Sequence, residues 1–297
     1  MINAIENSKI EIDVENCTKC KECVKDCVAN LFYFDQDSLR LVNSFEDYCI
    51  ECGHCEAVCP VNVIKLKFHT DVELESSAKG DGIPSYNSFL NLVLNRRSIR
   101  RFKEKTITKD LIEKLLKVGK HSPTGSNSEN VFYTVVQDKA IVAAISKHIT
   151  NKMIKFANAL EDPQGREFLK KSMPEEEFNQ AVENLPKTKR ILVRIEQGID
   201  FWCWNGELLV IHGDKTVGGL PTNGSLAAAH IMLAAETLGL GTCSLGYLTY
   251  FINESKTIRE LLKIPNNHIV GYSLTMGFPD VKYKRIPARK PLRVQWL

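Results

Sequence analysis

At 297 residues, 43% of them hydrophobic and 25% charged, the chain has room for about two ordinary globular domains and is neither a disordered nor a fibrous polymer. No apolar run approaches the roughly 18 residues of a membrane span. The opening Met-Ile-Asn-Ala-Ile-Glu lacks the basic-then-apolar pattern of a leader, so a cytoplasmic protein without membrane association is expected. The net charge of +3 divides unevenly: residues 1–70 carry 7 Lys and Arg against 12 Asp and Glu, and the remainder 32 against 24. No dense basic stripe interleaves with aromatics, so a nucleic-acid partner is not expected, whereas a basic body suits a phosphorylated cofactor.

Eight of the ten cysteines lie between positions 17 and 59, a density that reads as metal binding in a chain without an export signal. Cys17-Thr-Lys-Cys20-Lys-Glu-Cys23-Val-Lys-Asp-Cys27 recurs 32 residues later as Cys49-Ile-Glu-Cys52-Gly-His-Cys55-Glu-Ala-Val-Cys59. Steps of three bring three thiolates onto one iron–sulfur cube, and the fourth cysteine of each run ligates the other cube. One cluster then takes Cys17, Cys20, Cys23 and Cys59, the other Cys49, Cys52, Cys55 and Cys27. Paired Cys-x2-Cys motifs can also hold structural zinc, but the triple spacing and its duplication favour two 4Fe–4S clusters. His54 is expected at the surface beside a cluster, not as a ligand.

These motifs resemble the bacterial two-cluster ferredoxins over about residues 8–67. Pro60 follows Cys59 as in that family, but Val28 stands after Cys27, a departure that touches turn geometry and no ligand. A first domain over residues 1–70 is expected. Residues 71–85, polar and containing Gly80, Gly82 and Pro84, read as a linker to a second domain over 86–297.

The second domain opens with a short apolar helix from Tyr86 to Asn95. Thr108 reads as the cap of another, whose face carries Leu111, Ile112, Leu115, Leu116 and Val118. Val131–Val136 reads as a strand, residues 138–160 and 163–197 as mostly helix, and Leu208–Ile211 as a buried strand. Asn223–Leu238 reads as an Ala-rich helix and Ile269–Met276 as a final strand. Irregular alternation of helices with few strands predicts an α+β fold with a mixed sheet covered by helices.

Four segments carry the chemistry here. Asn95-Arg96-Arg97-Ser98-Ile99-Arg100-Arg101-Phe102 gathers four arginines and a serine that can hold an anion by charge-assisted bonds, or form a solvated basic run. Ser122-Pro-Thr-Gly-Ser-Asn127-Ser128-Glu129-Asn130 supplies amides and hydroxyls, or an ordinary turn. Leu238-Gly-Leu-Gly-Thr-Cys-Ser244-Leu245-Gly246 has glycines that permit close approach of a flat ligand. Met276-Gly-Phe-Pro-Asp280 leads into a basic tail containing Arg285, Arg289 and Lys290, which can close over a phosphate or be solvated.

In this order the segments resemble the nitroreductase family of FMN enzymes over about residues 86–297, more loosely between 140 and 205. The resemblance implies that Arg96 and Arg289 hold the FMN phosphate and that Arg97 and Ser98 line the ribityl chain and ring edge. It places Arg100 beside the N1/C2-carbonyl side. Asn127, followed by Ser128, faces the pyrimidine edge, and Ser244, Leu245 and Gly246 run along the ring. Where many relatives have Gln-Pro, this chain has Glu129-Asn130. The resemblance further implies a homodimer. No catalytic acid or base is assigned, because the flavin carries the chemistry.

Cys203 and Cys243 read as buried packing residues, and His212 and His230 as satisfied core histidines. Trp202 and Trp204 read as core, or as an aromatic wall over the flavin. The fused modules imply an oxidoreductase in which an external donor, such as a ferredoxin, reduces clusters that reduce FMN. The flavin then reduces a small acceptor such as a nitroaromatic, quinone or activated alkene. Oxidation of NAD(P)H or a substrate with export of electrons through the clusters, and a non-enzymatic electron-transfer or redox-sensing role, are the alternatives.

Overall fold

A computed structural model describes residues 4–6, 9–68 and 82–297, so most of the expected linker lies outside the described residues. The chain separates into two compact units, residues 1–84 with Ser126–Ser128, and residues 85–125 with 129–297. Among the described residues no helix is long and apolar enough to cross a membrane.

The N-terminal unit holds an antiparallel sheet of β1 (Ala4–Glu6), β2 (Ile10–Asp13) and β5 (Ile64–Leu66), and a hairpin of β3 (Phe32–Asp35) and β4 (Ser38–Leu41). Three short helices, α1 (Glu22–Asp26), α2 (Phe45–Tyr48) and α3 (His54–Ala57), complete it. Ile10, Ile12, Leu31, Phe32, Leu39, Phe45 and Ile64 form its core. The cysteine repeat is also a repeat of backbone shape. Lys19 and Glu51, Lys21 and Gly53, and Asn30 and Asn62 occupy matched positions, and all six have positive φ between 52° and 76°. Left-handed non-glycine residues are sterically costly, and they persist where surrounding structure over-determines them.

The C-terminal unit is built on a four-stranded sheet in the order β6 (Phe132–Val136), β7 (Glu207–Asp214), β9 (His268–Gly277), β8 (Gly241–Ser244). Its four strands pair antiparallel, and Ser98 adds a parallel bridge to Thr242 at the β8 edge. Strand β7 is buried on both faces, and alternation sends its side chains to two cores. Leu208 and Val210 pack with α6 (Lys139–Glu161), α8 (Glu175–Glu196), α10 (Gly246–Glu254) and α11 (Lys256–Leu261); α7 (Pro163–Ser172) joins the first two. Leu209 and Ile211 pack with α5 (Lys109–Lys120) and α9 (Leu220–Thr237). Each such side chain contributes roughly 1.5–3 kcal/mol on burial.

The remaining helix, α4 (Tyr86–Asn95), has the predicted bounds and is capped by Ser85, whose hydroxyl accepts from the Ser88 amide at 3.2 Å. Thr108 stands at the N-cap of α5, as expected, though its side chain makes no cap bond. Two local expectations need correction. His230 is exposed on α9, its Nδ1 2.8 Å from the Leu226 carbonyl, and is not a core residue. Residues 241–244, expected only as part of a glycine-bearing segment and not as a strand, form β8 because β9 supplies the partner.

Candidate functional site

The eight clustered cysteines line two cavities. Cys17, Cys20, Cys23 and Cys59 surround one with about 300 Å³ of empty space, part of it open to solvent, together with Phe34, Leu39 and Ile64. Cys27, Cys49, Cys52 and Cys55 surround the other, of about 390 Å³, with Phe32, Phe45 and Leu66. In each, three thiols come from one run and the fourth from the other.

Backbone amides already point at sulfur: Lys19 N–H donates to Cys17 Sγ at 3.4 Å and Leu31 N–H to Cys27 Sγ at 3.5 Å. Burial, with the neighbouring Cys17 and Cys20 acting in the same direction, pushes the Cys23 thiol up to about 11. Burial likewise pushes Cys55 up to about 12, with Cys49, Cys52 and Cys27 adding to it. Thiolates can be gathered in such apolar pockets only around a cationic centre, so the donor sets fit an iron–sulfur cluster. His54, mostly exposed, places Nδ1 3.2 Å from Asp26 Oδ2.

In the C-terminal unit the arginine segment runs extended and is stitched to two other motifs. Ile99 N–H donates to the Thr242 carbonyl at 2.9 Å. Phe102 bridges Pro279, Lys103 N–H donates to Phe278 O at 2.8 Å, and Asp280 N–H to Arg101 O at 2.9 Å. Ser98 and Arg100 thereby stand near the Cys243 side chain and both favour its thiolate, while Cys243 Sγ itself donates to the Ser244 carbonyl at 3.6 Å. Burial raises the Cys243 thiol against the opposing pull of the Arg100 charge.

Arg97 turns back onto its own helix: Nη1 donates to the carbonyls of Leu94 at 2.6 Å and Arg96 at 2.7 Å, satisfying the C-terminus of α4. Its Nε is buried without a partner among the described residues, so a donor remains for an acceptor-bearing ligand. Together with the half-buried Arg96 guanidinium, this fits an anionic cofactor.

The three glycines of the third segment have three different functions. Gly239, at φ 69°, ends α9. A Cβ on Gly241 would come within 2.5 Å of Ile99 Cγ1, so this glycine admits the arginine segment. A Cβ on Gly246 would meet nothing within 4 Å, as on Gly239, and this glycine adjoins Ser244 and Leu245. Ser244 is exposed and Leu245 buried.

The second segment is held by contacts of its own. Ser126–Ser128 group with the N-terminal unit, and Asn127 Nδ2 donates to the carbonyls of Ile50 at 3.2 Å and Glu51 at 3.0 Å, inside the Cys49–Cys52 loop. Ser126, Asn127 and Glu129 all have positive φ. Asn130 is buried and clasps Asp214, its Nδ2 donating to the carbonyl and its Oδ1 accepting from the amide, both at 2.9 Å. Arg289 lies in the exposed stretch after Asp280, which forms no helix or strand.

The sequence reading missed the loop before β7 as a unit. Asp200 Oδ1 accepts from the amides of Trp202 at 3.2 Å and Cys203 at 3.1 Å and from Ser146 Oγ at 2.7 Å. Its Oδ2 accepts from the Asn205 amide at 2.9 Å. Trp202 and Cys203 are core residues, whereas Trp204 is half-buried and faces Arg100.

A sequence profile of the nitroreductase family matches residues 93–278, and that of a 4Fe-4S dicluster domain matches residues 16–64. The chain is 29% identical over 191 residues to a putative NADH dehydrogenase/NAD(P)H nitroreductase of Archaeoglobus fulgidus, covering 64% of this chain and 84% of that protein. It is 39% identical over 70 residues to ferredoxin-1 of Caulobacter vibrioides, covering 23% of this chain and 56% of that one. Among solved structures, an FMN-dependent nitroreductase of Clostridium difficile superposes with a TM-score of 0.50 at 22% identity, over 70% of this chain and 99% of that chain; it shares the fold.

Proposed function

Since this chain belongs to the nitroreductase family and carries a 4Fe-4S dicluster domain ahead of it, we propose that it is an iron–sulfur flavoprotein oxidoreductase that takes electrons through two 4Fe–4S clusters to FMN and delivers them to a small organic acceptor. The observation that carries the reading is the crossed partition of the eight cysteines into two four-thiol cavities, in the same chain as a cationic edge of Arg96, Ser98 and Arg100 fixed on Thr242. Bound FMN would supply the change from single-electron to two-electron chemistry. Arg96 and the free Nε of Arg97 would hold its anionic end, Ser98 its polar chain, and Arg100 would favour the negative charge that reduction places on the ring. Ser244, Leu245 and Gly246 would lie along the ring.

A homodimer fits the surface. Helix α4 buries none of its apolar residues, although Phe89, Leu90, Leu92, Val93 and Leu94 are among them. The stretch after Asp280 exposes Ile286, Leu292, Val294 and Trp296, so a second copy of the chain is the natural cover and would bring Arg289 to a phosphate.

The test is iron, sulfide and flavin analysis of anaerobically purified protein, followed by stopped-flow reduction with reduced ferredoxin and, separately, NADH. Clusters and flavin should bleach together with ferredoxin. Zinc at the thiolates, or a protein that retains no FMN, would overturn the reading.

A further inference from the structure

The guanidinium of Arg100 is held by an aromatic face. Its Cζ lies 5.6 Å from the ring centroid of Trp204, and among the described residues no carboxylate pairs with it. That ring also packs in a tilted arrangement against Phe201, 5.2 Å away between centroids. The backbone beneath it is forced: Trp204 and Asn205 have φ of 56° and 53°, a region that bulky side chains rarely adopt.

Several bonds hold this conformation. Asp200 accepts from the amides of Trp202, Cys203 and Asn205 and from Ser146. Lys139 Nζ donates to the Asn205 carbonyl at 2.7 Å, and Trp204 N–H donates to the Asp200 carbonyl at 2.9 Å. Strain so over-determined is characteristic of a working site. A carboxylate partner would fix an arginine but neutralise its field. An aromatic face fixes it and leaves the charge intact.

We propose that Trp204 is a positioning residue that aims the undiminished charge of Arg100 at the electron-accepting edge of the flavin. The proposal rests on the flavin reading above. Two electrons and one proton added to an oxidised ring leave one negative charge on that edge, so the aimed cation favours the reduced form.

The experiment measures the FMN midpoint potential in anaerobic holoprotein, with the cluster potentials as internal references. Trp204→Leu should shift the equilibrium about two- to five-fold towards oxidised FMN, the range of a solvent-exposed cation–π contact. Trp204→Phe, which keeps a weaker aromatic face, should give an intermediate shift. In an Arg100→Gln background neither substitution should add anything. An unshifted potential with FMN bound, or an equal shift when Arg100 is absent, overturns the proposal alone. A wild-type protein that holds no FMN overturns the flavin reading and this proposal with it. Should the leucine variant not fold, the phenylalanine pair decides by the same criteria.

Discussion

The amide of Ile99 donates to the carbonyl of Thr242 at 2.9 Å, joining two motifs more than 140 residues apart into one edge of the sheet. The contact is possible because position 241 has no side chain: a Cβ there would stand 2.5 Å from Ile99 Cγ1 and 2.8 Å from its Cβ. Close packing around a backbone hydrogen bond thus sets where Ser98 and Arg100 stand, one residue to either side.

Gly241→Ala should therefore act on the cofactor through Ile99. The overpacked edge should lose about 1–3 kcal/mol of stability and release FMN more readily, with cluster content unchanged. Thermal unfolding and fluorescence titration of FMN read the two effects. Combining it with Ile99→Ala, which removes Cγ1 and Cγ2 and leaves only the 2.8 Å approach to Cβ, should restore part of the affinity; no rescue at all would show that the glycine serves another contact.

Adjacent arginines should differ. Arg96→Ala removes a cation assigned to the cofactor phosphate and should weaken FMN retention by about 1.5–3 kcal/mol, roughly ten- to a hundred-fold. Arg97 Nη1 is committed to the Leu94 and Arg96 carbonyls. Its alanine variant should lose about 0.5–1.5 kcal/mol of stability, with a smaller effect on FMN than Arg96→Ala. Equal FMN affinities in the two variants would contradict the assignment of Arg96.

Cysteines should sort by cavity and not by run. Cys55→Ala and Cys27→Ala should each remove the same cluster, and Cys59→Ala the other, because Cys27 lines the cavity of Cys49, Cys52 and Cys55. Iron and sulfide should fall by about half in every case while FMN stays bound. Electron paramagnetic resonance of the reduced proteins should give matching spectra for the Cys27 and Cys55 variants; matching spectra for Cys27 and Cys23 instead would overturn the crossed partition.

What could be read in advance was what is local. The cysteine spacing, the bounds of α4 and the apolar period of α5 are fixed by neighbours within a turn or two. Strand β8 was missed because Gly-Thr-Cys-Ser lacks alternation and becomes a strand only by pairing with β9. The use of Gly241 depends on Ile99, and the bonds of Asn127 on carbonyls 76 and 77 residues away, distances over which a pattern in one chain carries no information. Glu207 is similar: a buried carboxylate at the start of β7 whose partners, the Ile107 amide at 2.8 Å and Gln137 Nε2 at 2.7 Å, lie 100 and 70 residues away.

Acid should loosen the C-terminal unit at the far end of its sheet. His212 Nδ1 lies 2.8 Å from His268 Nδ1, and its Nε2 3.0 Å from Thr134 Oγ1, so a single proton serves the bond between the two rings. Burial pushes His212 down from 6.5 to about 4, and the charges of His268 and Arg259 push the same way. The unfolded chain therefore takes up this proton below about 6.5, and the folded chain only near 4. Between those values the unfolded state binds more protons, so stability rises with pH. The penalty is absent above about 7, grows as pH falls by up to about 1.4 kcal/mol per unit, and levels off below 4. Melting temperatures from pH 7 to 4.5 should fall more steeply for the natural protein than for His212→Asn, which has no proton to gain. Parallel curves would mean that the pair accommodates the charge.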